Sequence, residues 1–258
     1  MSLPLVVKSK LFWYYKGAID CAWYLSYAPT AKQNAYIDDM DKFGIDTITI
    51  NLCNEEIGTP FAGEFMNSDW DWPKVNRLCG FIQRLKARGK NVVIVFFDCP
   101  EIPNARYPVW KFKARIPAFL TAVTGALAPV VDGFILGIET NRGPLTGAEV
   151  DQGVYIIKQS AFRMINGVKV SLPVGTHEQS YRIASQADFI GYETKNHPFD
   201  GHTVPVAQMV AEVKTLVARA NGKAVWVIES NEREDAHARA QNRAMAALPG
   251  VVGVGGPL

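Results

Sequence analysis

Eight short apolar runs, separated by longer amphipathic stretches, organise this chain from end to end. The runs occupy residues 11–21, 47–53, 91–99, 133–140, 168–175, 187–194, 224–230 and 250–256. They are rich in β-branched and aromatic residues and bounded by turn residues, the signature of buried strands. Helical periodicity fills the gaps at 30–43, 72–88, 108–128, 146–166, 178–185, 205–220 and 234–248. Strand alternating with helix leaves few folded solutions, because parallel strands need crossover connections and the helices must cover both sides of the sheet or ring it. Eight strands and seven helices predict an α/β fold of the (β/α)8 TIM-barrel type: one closed barrel, a single domain over residues 1–258, with the eighth helix short or missing. An open doubly wound sheet would carry a Gly-rich phosphate loop after an early strand, whereas the first strand here ends in "AIDCAWY".

Composition narrows the function. With 258 residues, 48% of them hydrophobic, the chain can bury a large core. Its formal charge of +2 comes without a basic cluster, which argues against nucleic-acid binding and against an anionic membrane surface. No apolar run reaches the ~18 residues of a spanning helix, so no membrane insertion is expected. The N-terminal "MSLPLVVKSK" has neither a basic n-region nor a cleavage site. It reads as no signal peptide, and so as a cytoplasmic, phage-associated or lysis-released protein. Cys21, Cys53, Cys79 and Cys99 form no C-x-x-C pair; buried packing is the expectation for Cys21, Cys53 and Cys99, with no metal and no cofactor. Oligomeric state is not written in the sequence.

Strand periodicity assigns faces. In "TITINLC", Ile48, Ile50 and Leu52 share one face and Thr47, Thr49, Asn51 and Cys53 the other. The apolar face should meet the helices and the small polar face the barrel interior. By the same rule Gly133, Ile135, Gly137 and Glu139 share a face, as do Val225, Val227 and Glu229. On strand 6, Tyr192 is expected to point inward and Glu193 toward the helices.

Barrel chemistry sits at the C-terminal strand ends. There the sequence places Asp20 and Trp23, then Asn51, then Asp98, then Glu139 and Asn141, then His177, then Tyr192 and Glu193, and finally Glu229 and Asn231. This mouth is acidic. Two segments stand out: "GFILGIETN" and "AVWVIESNE" each run an apolar strand into a glutamate, Glu139 and Glu229. Carboxylates are rarely buried unless paired or working.

Glutamates at the ends of strands 4 and 7 resemble the layout of the clan of retaining (β/α)8 glycoside hydrolases. The resemblance implies that Glu139 is the acid/base, that Glu229 is the nucleophile, and that Tyr192 stands near the nucleophile. Two positions differ from the clan pattern: Ile138 precedes Glu139 where the clan has Asn, and "VGGPL" ends the chain where the clan often places a Trp. Asp20 in "GAIDCAW" more distantly resembles the first strand of barrel-type muramidases, although Gly137 stands where those enzymes have an Asp.

Glycoside cleavage needs such a pair. One carboxylic acid protonates the leaving oxygen, and one carboxylate attacks or steadies an oxocarbenium-like centre. Rings in the loops after strands 2 and 3, among them Phe61, Phe65, Trp70, Tyr107 and Trp110, can pack those loops or stack on sugars. The expected partner is a carbohydrate: a poly- or oligosaccharide, with cell-wall and surface glycans included. Asp20, Trp23, Asn51, Asp98, Asn141, His177, Tyr192, Glu193 and Asn231 are the candidate substrate-binding residues. Glu193 is also the alternative for either catalytic role. Two other classes use the same mouth. One is a metal-dependent barrel hydrolase or lyase holding its metal with Asp20, Asp98, His177 and Glu193. The other is a barrel that only binds glycan or protein.

Overall fold

The computed structural model describes residues 3, 11–12, 28–42, 44–52, 72–97, 116–138, 145–178, 183–194, 204–229 and 236–255. In chain order the strands are β1 (Leu11–Phe12), β2 (Thr47–Asn51), β3 (Asn91–Phe97), β4 (Gly133–Ile138), β5 (Phe162–Ile165), β6 (Val168–Ser171), β7 (Val174–Glu178), β8 (Phe189–Glu193), β9 (Ala224–Glu229) and β10 (Val251–Gly255). The helices are α1 (Thr30–Lys42), α2 (Trp72–Ala87), α3 (Ile116–Leu127), α4 (Gly147–Ser160), α5 (Val206–Arg219) and α6 (Ala236–Ala246). Eight strands make one sheet in the order β1-β10-β9-β8-β7-β4-β3-β2. Every pair described in it is parallel. With the hairpin β5–β6 set aside, each strand from β3 onward lies beside its predecessor, and the last strand, β10, pairs with the first, β1. That is the cyclic order of a (β/α)8 barrel. Among the described residues no helix follows β10, and α6 packs against both β10 and β1.

The fifth unit differs from the expected one. Residues 168–175 are not one barrel strand. Val168–Ser171 pairs antiparallel with Phe162–Ile165, outside the barrel. The turn between them is Asn166-Gly167, with φ of +50° and +78°, the two positive values a type I′ hairpin requires. Helix α4 therefore stops at Ser160 instead of running to 166. It starts where the sequence suggested: Thr146 and Glu149 form a reciprocal capping box. The barrel strand begins after Pro173, as "VGTHE", and all five of its residues are buried. Glu178 is thus the end of a strand, not the start of a helix. Among the described residues, 183–185 are coil and turn where the helix over 178–185 was expected.

Two apolar layers result. Ile48, Ile50 and Leu52 pack outward with the helices, as the alternation in β2 predicted. Inside the barrel, Val93, Val95, Ile135, Phe189, Trp226 and Ile228 form a second core. The Phe189 and Trp226 rings lie 6.2 Å apart at a 54° tilt. These side chains pack the described interior of the barrel, and barrel chemistry belongs to its C-terminal end.

The opposite face is tied by charged clamps at strand starts. Asp132, just before β4, accepts from Lys86 Nζ at 2.7 and 2.6 Å and from Val92 N–H at 2.8 Å. Asp188, just before β8, accepts from Lys158 Nζ at 2.5 Å and from Val174 N–H at 3.0 Å. Each aspartate thereby joins one strand to its neighbour and to a helix end. Lysines do the complementary task. Lys90 donates to the Ile45 carbonyl at 2.6 Å, and Lys223 donates to the carbonyls of Ala184, Ser185 and Ala187. Burial pushes the Lys223 ammonium below its ordinary range, and the nearby charge of Lys158 adds to the effect.

Candidate active site

The described part of the mouth is built by β7, β8 and β9. In β7, Gly175 and His177 pair in register with Phe189 and Gly191 of β8. Phe189 belongs to the interior core, so the pleat puts Gly175, His177, Phe189, Gly191 and Glu193 on the inner wall. His177 is 0% exposed and Glu193 2%. Gly191 is what lets the wall close up here. A Cβ at that position would lie 2.4 Å from the Thr176 carbonyl oxygen and 2.6 Å from Ile228 Cδ1. No side chain fits between His177 on one neighbouring strand and Ile228 on the other.

Tyr192 and Glu193 exchange the faces expected for them. Tyr192 belongs to the outer core, and its hydroxyl donates to Glu212 Oε1 on α5 at 2.6 Å. Ile190 precedes it on the same outward face. Tyr192 is therefore not a mouth residue and not a donor to Glu229. The pleat is fixed by Ile190 packing into the helix layer, which carries Tyr192 to the same side. Tyr192→Phe should leave kcat within about twofold of the parent. It should also lower stability by about 1–2 kcal/mol through loss of a bond to a carboxylate, as urea denaturation would register. A large fall in kcat at unchanged stability would return Tyr192 to the site.

Strand β9 holds a second correction. Val225 and Val227 pack outward, while Trp226 and Ile228 face the interior, the reverse of the expected inward set. Uninterrupted alternation would then put Glu229 with the valines. The ladder, however, slips at this point. Tyr192 pairs with Val227, but the next residue, Glu193, pairs with Glu229 rather than Ile228. One extra residue in β9 opposite β8 is a β-bulge, the device that re-aims strands near active sites. A similar slip occurs in β4: Ile135 pairs with Gly175, but Ile138 rather than Gly137 pairs with His177. Both strands whose sequences lead to Glu139 and Glu229 thus break register within their last residues.

The remaining candidates divide simply. Asn51 closes β2, its backbone paired with Val95. Glu139, Asp20, Trp23, Asp98, Asn141 and Asn231 lie outside the described residues, as do the loop aromatics Phe61, Phe65, Trp70, Tyr107 and Trp110 and the strand-end Cys21, Cys53 and Cys99. Among the described residues, no three His, Cys, Asp or Glu side chains gather as metal ligands. Of the four metal candidates, His177 and Glu193 are described, on adjacent strands. Cys79, the cysteine on α2, is free and half-buried, and burial pushes its thiol up. Sequence reading missed Glu178 and Thr194, both buried at the ends of β7 and β8. The signal for Glu178 was the short run "VGTHE" following a proline, which cannot continue a ladder.

No protein-family model matches the sequence, and no curated relative does. The fold does have solved counterparts. The exo-β-1,4-mannosidase of Opitutaceae bacterium strain TAV5 superposes with a TM-score of 0.66 at 16% identity, covering 95% of this chain and 51% of that one. A GH5_18 protein from Streptomyces cattleya, in complex with GlcNAc, gives a TM-score of 0.66 at 16% identity over 97% of this chain and 70% of its own. A GH113 β-1,4-mannanase gives 0.62 at 10% identity, covering 98% and 88%. The chain is an α/β barrel of the same architecture as these glycoside hydrolases. It spans about half the length of the Opitutaceae mannosidase.

Proposed function

We propose that this chain is a glycosidase that cleaves a poly- or oligosaccharide with two carboxylates, Glu139 as acid/base and Glu229 as nucleophile, with retention of anomeric configuration. In the first step a Glu229 oxygen bonds to the anomeric carbon as its bond to the leaving oxygen breaks, and Glu139 gives that oxygen its proton. In the second, Glu139 takes a proton from water, whose oxygen displaces Glu229. The observation that supports this reading best is the slip in β9, which sets Glu229 beside the buried, inward Glu193 at the C-terminal end of the barrel. An acidic strand end beside a buried apolar core suits a reaction whose transition state is cationic.

The solved counterparts supply the first substrates to try. Two are named for action on β-1,4-mannosides, and others were solved with Manβ1-4GlcNAc. The test is a panel of aryl and oligosaccharide mannosides and glucosides of both anomers, followed by proton NMR from the first minute. The first-formed sugar should carry the configuration of the bond that was cut. An inverted first product would remove the covalent mechanism. No cleavage of any member, with saturable binding of one, would favour the binding-only barrel. Activity that appears only with an added divalent ion would favour the metal-dependent class.

A further inference from the structure

One acidic side chain on the inner wall has no part in the two-carboxylate scheme. Glu193 ends β8, is 2% exposed, and faces the same side as Phe189 and Gly191. Its register partner across the bulge is Glu229. Neighbouring parallel strands lie ~4.8 Å apart, so the backbones of Glu193 and Glu229 sit side by side in adjacent strands. The expected donor to Glu229, Tyr192, is engaged by Glu212 on the helix side. On the other flank, β10 (Val251–Gly255) offers no titratable group, and β9 has none besides Glu229 itself. His177, on β7, is the other titratable side chain of this wall among the described residues.

We infer that Glu193 is a positioning residue for the nucleophile, a carboxylate set beside Glu229 whose charge enriches the attacking oxygen and steadies the cationic sugar as Glu229 gives up its own charge. The inference rests on Glu229 being the nucleophile. Two like charges side by side are unfavourable in the resting site. The repulsion is relieved as the Glu229 carboxylate becomes a neutral ester, so the interaction is more favourable in the transition state than in the ground state, as catalysis requires.

Carbon-13 labelling of glutamate carboxyls tests this directly, with the Glu229 signal assigned by its loss in Glu229→Gln. In Glu193→Gln the Glu229 midpoint should fall by about one pH unit, because a neighbouring negative charge has gone. Glu193→Asp, which keeps the charge, should restore most of the parent value. In turnover, Glu193→Gln should lower kcat on the order of 100-fold, the size typical of one electrostatic group. The acidic limb of kcat/KM should move down with the midpoint, and azide should not rescue Glu193→Ala. An unmoved Glu229 midpoint in a folded Glu193→Gln overturns the proposal. A glycosyl azide formed by Glu193→Ala overturns it too, since Glu193 would then be the nucleophile. If the midpoint moves while the parent cleaves no glycoside, the pairing stands and the glycosidase reading falls.

Discussion

Glu229→Ala should abolish turnover, lowering kcat by about 10⁴-fold or more, the scale on which losing a covalent nucleophile usually registers. The fold should survive. The β9 ladder is made by the backbone, and the apolar side chains that anchor the strand, Val225, Trp226, Val227 and Ile228, are all buried elsewhere along it. Melting temperature and circular dichroism should therefore match the parent. The small side chain leaves space for azide, which should attack the anomeric carbon from the vacated side and restore part of the cleavage. Because only one displacement then occurs, the glycosyl azide should carry the inverted configuration. Near-normal activity in Glu229→Ala would put the nucleophile elsewhere, and Glu193, its register partner, would be the next residue to substitute.

Glu139→Gln should show the complementary pattern. Proton donation contributes ~10²–10⁴-fold where the leaving group is a poor one. Natural oligosaccharides, whose leaving alkoxide must be protonated, should lose rate on that scale. Aryl glycosides with acidic phenols need little help to depart and should keep most of their first-step rate, with an accumulating glycosyl-enzyme visible as a burst. The slow second step should then respond to added azide, which needs no general base. Equal loss on both substrate types would remove Glu139 from the acid role.

Much of this barrel was readable from periodicity because its physics is local. Ile48, Ile50 and Leu52 must leave water on one side, and a period of two then dictates where Thr47 and Thr49 go. Thr146 and Glu149 mark a helix start through a hydrogen-bond pattern that spans only three residues. The hairpin at 162–171 was equally local, carried by "MINGVKV", but its Asn-Gly signal was absorbed into an overlong helix. Misplacing it displaced the fifth barrel strand. The faces of Tyr192, Glu193 and Glu229 were not local. A period of two carries no notice of where it slips, and the slips in β4 and β9 are set by neighbouring strands distant in sequence. Gly191 gives a partial hint, since a glycine inside a strand often marks a close approach. What it approaches, the Thr176 carbonyl and Ile228, belongs to the adjacent strands. Glycoside-hydrolase chemistry was suggested by the two glutamate ramps, and the fold places the strands that carry them within one barrel.

The separation between the Glu139 and Glu229 carboxyl groups, measured in a crystal structure, tests the central claim most directly. A retaining pair working on one sugar should place them ~5–5.5 Å apart across the mouth. A separation of ~6.5–9.5 Å would contradict retention, because that gap holds a water for an inverting attack. A still larger distance, or a Glu229 turned into the helix layer with Val225 and Val227, would contradict the two-carboxylate site itself.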